Sequence, residues 1–147
     1  MKPEQPPIGR HLHWVARAIQ KGFDEALEEA GGTQPVWLIL LTVKVKKYDS
    51  QRELAKAVRL EEPTLTHHLD AMERDGLVTR ERDPDNRRAI RVELTSKGEE
   101  MFTRLRDAAT AYDRRMRRGI SADDIDLVRE TLTRMAENVT PDGERAG

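Results

Sequence analysis

Arginines are concentrated in one short stretch, RERDPDNRRAIRVELT, which covers residues 80–95. It contains five of them: Arg80, Arg82, Arg87, Arg88 and Arg91. A guanidinium is attracted to the negative potential of a nucleic-acid duplex, most strongly where an A·T-rich minor groove is narrow. These residues therefore suit a basic tip that lies along a duplex, although each arginine taken alone also suits an ordinary solvated strand.

The same stretch is predicted to form a β-hairpin. Residues 77–79 begin an extended segment, and DPDN at 83–86 has the composition of a turn. Ile90, Val92 and Leu94 then alternate with polar residues, as expected of a returning strand with one buried face. The arginines would thus be carried on a two-stranded ribbon.

Two short helices are predicted before this hairpin. Ser50 opens the sequence S-Q-R-E, which has the spacing of a capping box, so the first helix is expected over 51–58. Pro63 suits the first turn of a helix and Gly76 suits its left-handed end, so the second helix is expected over 62–75. Their order and short connection are typical of a helix-turn-helix.

The second of these helices has two different faces. Its apolar face consists of Leu65, Leu69 and Met72, toward which His68 also leans, so a packing role is expected for that histidine. The opposite face has short polar or basic side chains: Thr64, His67, Ala71 and Arg74. Such a face has little bulk to bury and suits a recognition helix that enters a major groove.

Longer helices flank this central part. Residues 8–30 have apolar side chains at spacings of three and four, residues 34–46 are apolar nearly all round, and a further helix is expected over 97–118. The last helix, 122–139, has a seam more typical of helix pairing than of a small core: Ile125, Val128, Leu132, Met135 and Val139.

The predicted fold is mostly α, with about six helices and a two-stranded β-wing in one domain, 1–147. Residues 34–96 are expected to form the winged helix-turn-helix DNA-binding region. The helices at 8–30 and 98–139 are expected to dimerise, because their apolar stripes exceed what one small core can bury. A symmetric dimer would present two recognition helices to the two halves of a palindrome.

Composition narrows the possible functions. The chain has 147 residues and no cysteine, which excludes disulfides, thiolate zinc sites and thiol-based peroxide sensing. No stretch approaches the roughly 20 apolar residues that span a bilayer, and no signal peptide is recognisable, so a cytoplasmic protein is expected. Net charge is −1, but residues 44–91 have 12 Lys and Arg against 10 Asp and Glu.

Enzymatic motifs are not found in the sequence. There is no Gly-rich phosphate loop, no cysteine nucleophile and no recognisable Ser/His/Asp grouping, so neither catalysis nor a cofactor is expected. His11 and His13 are two residues apart on a predicted helix and so lie on different faces, which makes a metal site improbable.

Three stretches, in this order, resemble the MarR (multiple antibiotic resistance regulator) family of bacterial winged-helix transcription factors. They are QRELAKAV at 51–58, LTHHLDAMERDGLVTR at 65–80 and DPDNRRAIRVELTSKG at 83–98. The resemblance covers nearly the whole chain, and its order and spacing are more specific than any single stretch. It implies a transcriptional regulator, typically a repressor, that binds a palindromic operator in double-stranded DNA as a homodimer.

The resemblance also implies roles for individual residues. Arg88 is the wing arginine expected in the minor groove. Arg82 and Arg87 are predicted to contact DNA from their place on the hairpin, without a role given by the resemblance. In the major groove it places Thr64, Thr66, His67 and Arg74. Asn86 replaces the family's usual bracing aspartate, so the bracing of Arg88 is expected either to be weaker or to come from Asp83 or Asp85. Arg59 replaces a common turn glycine, so a looser turn is expected there.

A ligand is the least direct expectation. In this family small phenolic or aromatic acids commonly bind between the dimer helices and the winged part, which here implies Trp14 and Trp37 as lining residues. Arg10 or Arg17 would then bind the carboxylate through paired hydrogen bonds. Taken alone, both tryptophans are more typical of a packed core.

The alternative function is a winged-helix module that binds proteins and not DNA. It would be favoured by an acidic or bulky apolar face on the recognition helix, which this sequence does not have.

Overall fold

The structure is a computed structural model that describes residues 5–142, except for the side chains of Arg87 and Arg88. The chain divides into two compact units, one up to Thr110 and the other from Ala111. The elements, in chain order, are α1 (Ile8–Glu29), α2 (Gln34–Val45), α3 (Gln51–Val58), α4 (Glu62–Arg74), β1 (Val78–Asp83), β2 (Asn86–Leu94), α5 (Ser96–Met116) and α6 (Ala122–Val139). They confirm the predicted winged-helix fold.

Side-chain caps explain where several helices begin. The Ser50 hydroxyl oxygen accepts a hydrogen bond from the backbone N–H of Glu53 at 3.1 Å, which confirms the predicted start of α3. Ser121 does the same for the N–H of Asp124 at the start of α6, also at 3.1 Å. These contacts satisfy backbone donors that a helix start leaves without partners.

The core of the first unit is centred on α2 and the inner face of α4. Leu65, Leu69 and Met72 of α4 are buried, as predicted. Around them lie the other fully buried side chains: Leu27, Ile39, Leu40, Leu54, Val78 and Leu105. The apolar residues at spacings of three and four therefore fix the rotation of α4 about its axis, because turning it would expose them.

Gly98, near the start of α5, is required by close packing. A Cβ at this position would lie 2.0 Å from the carbonyl oxygen of Leu77, a contact that no side chain tolerates. The same carbonyl accepts a hydrogen bond from the backbone N–H of Thr95 at 3.0 Å. The start of α5 is thus held directly against the junction between α4 and β1, which fixes the base of the hairpin.

The hairpin pairs β1 with β2 in antiparallel register, with Val78 opposite Leu94 and Arg82 opposite Ile90. The register is irregular after Arg82, next to the turn. Within the turn, the Asp83 carboxylate accepts a hydrogen bond from the backbone N–H of Asp85 at 2.9 Å. Asp83 therefore stabilises the turn itself, as Asp side chains commonly do.

The turn after α3 is tight, and the expectation of a looser one was wrong. Arg59 adopts the left-handed conformation, with φ 57° and ψ 43°. The backbone N–H of Leu60 donates to the carbonyl of Ala55 at 3.0 Å, which closes the helix end. The chain makes the turn that a glycine would make, at the steric cost of a Cβ in this region.

Replacing Arg59 with glycine is therefore expected to raise the free energy of unfolding by roughly 0.5–1 kcal/mol, because relief of the left-handed strain exceeds the added flexibility of the unfolded chain. Arg59→Ala is the matched control, since it removes the guanidinium but keeps the Cβ. Denaturant unfolding of the three proteins measures the difference. Equal stability of the glycine and alanine variants would contradict this explanation.

In the second unit, α6 has no buried residue. Its large apolar side chains include Val128, Leu132 and Val139, which are 51%, 42% and 81% exposed. Isolated apolar residues are normal on a surface, but a row of them along one helix is typical of an interface. None of the described helices is long and apolar enough to cross a membrane.

Candidate nucleic-acid interface

The outer face of α4 carries most of the residues that were predicted to contact DNA. Thr64, His67 and Arg74 are exposed, and Thr66 is half-buried. The ring of His67 lies edge-on to that of His68, with 5.8 Å between the ring centroids. His68 is half-buried, as expected of a histidine on the inner side of the helix. Short and basic side chains are therefore available along one face of α4.

The hairpin places further cations beside this helix. Arg82 and Arg91 are exposed on β1 and β2. The predicted groove contacts of Arg87 and Arg88 depend on side chains that lie outside the described part of the structure, as does the bracing of Arg88. Asn86 opens β2 opposite Asp83 in the register. The backbone of β1 and β2 therefore forms the two-stranded hairpin that a winged helix requires.

Arg80 differs from Arg82 and Arg91, which are exposed, because its side chain is only 18% exposed. Its Nε donates to the Glu73 carboxylate at 3.1 Å, and another guanidinium nitrogen is paired with Asp70. A third contact, of 3.4 Å, joins Arg80 Nη1 to Oε1 of Gln51, whose Nε2 donates to the Thr66 hydroxyl oxygen at 3.2 Å. β1, α3 and α4 are therefore joined by one polar network.

Glu73 and Asp70 stabilise the charged form of the Arg80 guanidinium. Partial burial by itself would lower the pKa of the guanidinium, but hydrogen bonds and charge interactions with Glu73 and Asp70 outweigh that effect, so the pKa is raised above its ordinary value. Arg80 is thus a permanent cation that binds two carboxylates of α4 and holds that helix against the hairpin.

Sequence reasoning placed Arg80 on the hairpin but missed its role. A usable signal existed: Thr66, Asp70 and Glu73 are four and three residues apart, so they share one stripe of α4 beside the exposed face. A polar stripe with two carboxylates on a helix otherwise suited to DNA indicates a cationic partner within the protein, because bare carboxylates would repel the phosphates.

The residues predicted to bind a ligand lie in two different settings. Arg10, Trp14 and Arg17 line a shallow open depression on α1, and Trp14 is 67% exposed, so the core interpretation was wrong for this tryptophan. Trp37 is 8% exposed and stacks on Phe102 with 5.7 Å between ring centroids. In residues 5–142, no group of three or more His, Asp or Glu side chains is arranged to hold a metal ion.

Comparison with known proteins agrees with this geometry. The MarR family model matches residues 33–90, from the residue before α2 into β2. The solved structure of the transcriptional regulator PA3341 is 32% identical, with a TM-score of 0.72, and the match covers 90% of this chain and 97% of that chain. The chain belongs to the MarR family.

Two further similar structures are DNA complexes. The transcriptional repressor CouR, solved bound to a 23-mer DNA duplex, is 25% identical with a TM-score of 0.78, and the match covers 88% of this chain and 92% of that chain. A MarR mutant from E. coli, solved with operator DNA, has the same fold at 21% identity and a TM-score of 0.75, covering 88% and 94%. This MarR-family chain is accordingly a transcription regulator with a DNA-binding winged-helix fold.

Proposed function

We propose that this MarR-family protein is a repressor that binds a palindromic operator as a homodimer. In this proposal α4 enters the major groove with Thr64, Thr66, His67 and Arg74, and the hairpin follows the minor groove with Arg82, Arg87 and Arg88. CouR in its DNA-bound structure gives the fold a precedent. Base contacts from α4 would set the sequence preference, while wing and phosphate contacts would position the protein.

The observation that carries the proposal is the division of α4 into three stripes. The apolar stripe of Leu65, Leu69 and Met72 is buried in the core. A second stripe, Thr66, Asp70 and Glu73, is engaged with Gln51 and Arg80. Outside these two stripes, the exposed side chains of Thr64, His67 and Arg74 are short and polar or basic, which suits a groove lined by base edges and phosphates better than a protein surface.

His67 offers the sharpest test of the major-groove assignment. His67→Ala should change which base is preferred at one position of each half-site, by about 1–3 kcal/mol per position, because base contacts carry sequence information. Binding titrations against a set of single-base operator variants, at one salt concentration, measure this. Uniform weakening of all variants would mean that His67 makes no base contact.

Dimerisation is proposed through α1, α5 and α6, within the ranges 8–30 and 98–139. Trp14 and Ile19 of α1 are 67% and 39% exposed, and α6 has the exposed row described above. A second copy is the proposed occupant, because a regulator of two half-sites needs two α4 helices about 34 Å apart along the duplex. An isologous pair of these helices supplies that symmetry.

Release by a small aromatic acid is the final part of the proposal. Arg10 and Arg17 lie beside the exposed indole of Trp14, so a carboxylate and an aromatic ring would each find a complementary group. A ligand loosens DNA only if it prefers the non-binding form, so both effects must be measured together.

Salicylate is therefore expected to quench tryptophan fluorescence and to lower operator affinity over the same concentration range, in one buffer. Trp14→Phe is the control that identifies which indole responds. Quenching without any loss of DNA binding would refute the ligand-release proposal while leaving DNA recognition unaffected.

A further inference from the structure

The side-chain amide of Gln51 lies between Arg80 and Thr66 and contacts both. Its Oε1 accepts from Arg80 Nη1 at 3.4 Å, and its Nε2 donates to the Thr66 Oγ1 at 3.2 Å. A guanidinium has only hydrogen-bond donors, so the oxygen of the amide must be the atom that faces Arg80. The amino group of Gln51 is thereby directed toward Thr66.

Arg80 is in turn prevented from swinging away. It is paired with Glu73 at 3.1 Å and with Asp70, and it is only 18% exposed. Two carboxylates on one helix thus fix the guanidinium that orients the amide. Because the Arg80 guanidinium can only donate, Gln51 must accept from Arg80 and donate to Thr66.

The hydroxyl oxygen of Thr66 consequently acts as an acceptor inside the protein. Other helical threonines, Thr42, Thr103 and Thr131, donate to the carbonyl four residues earlier at 2.6, 3.1 and 2.7 Å. Thr66 makes no such donor bond to any residue in the part of the chain that the structure describes. Since a hydroxyl has one proton, that of Thr66 is left to be donated outward.

We propose that Arg80 and Gln51 are positioning residues that fix Thr66 as a hydrogen-bond donor toward DNA. Thr66 then selects an acceptor on the duplex, either a phosphate oxygen or a base acceptor in the major groove such as guanine O6 or N7, adenine N7 or thymine O4. Arg80 and Gln51 themselves touch no DNA. This inference rests on the proposed function, in which α4 enters the major groove.

Gln51→Glu reverses the direction of the hydrogen bond to Thr66 with little change of shape. A glutamate would still accept from Arg80, and it suits the first turn of a helix, so thermal stability should not fall. Its second oxygen would also accept, so Thr66 would donate to Glu and face DNA as an acceptor only. We expect operator affinity to fall by about fivefold or more, which is what one hydrogen bond contributes.

The added negative charge also weakens DNA binding, and a double-mutant cycle with Thr66→Val separates the two effects. The probes are a duplex selected by the wild-type protein from a random pool and a scrambled duplex of equal length. The added charge lowers affinity equally in the wild-type and Thr66→Val backgrounds. The part of the affinity loss that comes from the Thr66 donor is absent in the Thr66→Val background, because that donor has already been removed. We expect non-additive losses on the selected duplex.

The two acceptor classes give different results in the same cycle. If the two affinity losses are non-additive only on the selected duplex, Thr66 donates to a base acceptor. If they are equally non-additive on both duplexes, Thr66 donates to a phosphate. Strictly additive losses on both would overturn the inference while leaving operator selection by the wild-type protein, and hence the proposed function, intact. If the wild-type protein selects no duplex, the proposed function fails, and this inference with it.

Arg80→Met provides a second route to the same question, because it frees the Gln51 amide to rotate. Its loss of affinity should likewise be smaller in the Thr66→Val background than in the wild-type background. Thermal melting of each protein shows whether the fold is kept. If Arg80→Met does not fold, the Gln51→Glu and Thr66→Val cycle alone tests the role of Thr66. Equal losses in both backgrounds would contradict a role through Thr66.

Discussion

Replacing Arg88 with alanine is expected to weaken operator binding by about 1–3 kcal/mol, roughly 5- to 150-fold, while fold and dimer are kept. The position follows the DPDN turn of the hairpin, where family resemblance assigns the wing arginine. A guanidinium in a narrow minor groove interacts with several phosphates at once, and alanine loses this attraction. Titration at fixed salt measures the effect.

Arg91→Ala is the matched control for Arg88→Ala. It removes the same charge from the same strand, at an exposed position three residues further from the turn. If binding depended only on the total charge of the wing, both variants would weaken it equally. Unchanged affinity in Arg88→Ala, or equal losses in the two variants, would mean that no specific groove contact is made at Arg88.

Replacing Leu132 with glutamate is expected to convert the proposed dimer to a monomer and to lower operator affinity by about 100-fold or more. Leu132 lies in the middle of the exposed apolar row of α6 and is 42% exposed. A charge at this position would be buried without a partner on dimerisation, which is strongly unfavourable. A monomer also loses the gain from binding two linked half-sites, typically 10²–10⁴ in affinity.

Thr133→Glu is the control for Leu132→Glu, because it adds the same charge one residue away, at an exposed position outside the apolar row. Sedimentation should give the mass of two chains for the wild type and for Thr133→Glu, and of one chain for Leu132→Glu. A Leu132→Glu variant that remains dimeric would contradict an interface through α6.

Much of the fold was predictable because local signals and core packing agree. The capping Ser50 set α3, and Pro63 with Gly76 set α4, to within one residue of their observed bounds. The alternation identified β2, although this strand begins four residues before Ile90, at Asn86. Such signals depend on spacing along the chain, which a sequence displays directly. The same holds for the exposed face of α4, since it is what remains when Leu65, Leu69 and Met72 are buried.

What could not be predicted depends on contacts between distant residues. In the sequence, Arg80 cannot be told apart from the other arginines of the hairpin. Only the packing of β1 beside α4 shows that it binds Asp70 and Glu73. The left-handed Arg59 was missed because a residue other than glycine usually avoids that conformation. Trp14 was expected in the core from its residue type, but it is exposed in the single chain.

Selection of duplexes from a random-sequence pool by the full-length protein tests the central claim most directly. The account predicts enrichment of an inverted repeat whose half-sites are about one helical turn apart, bound by two chains and competed weakly by scrambled DNA. Recovery of no shared sequence, with equal affinity for selected and scrambled duplexes at physiological salt, would contradict sequence-specific operator binding by this protein.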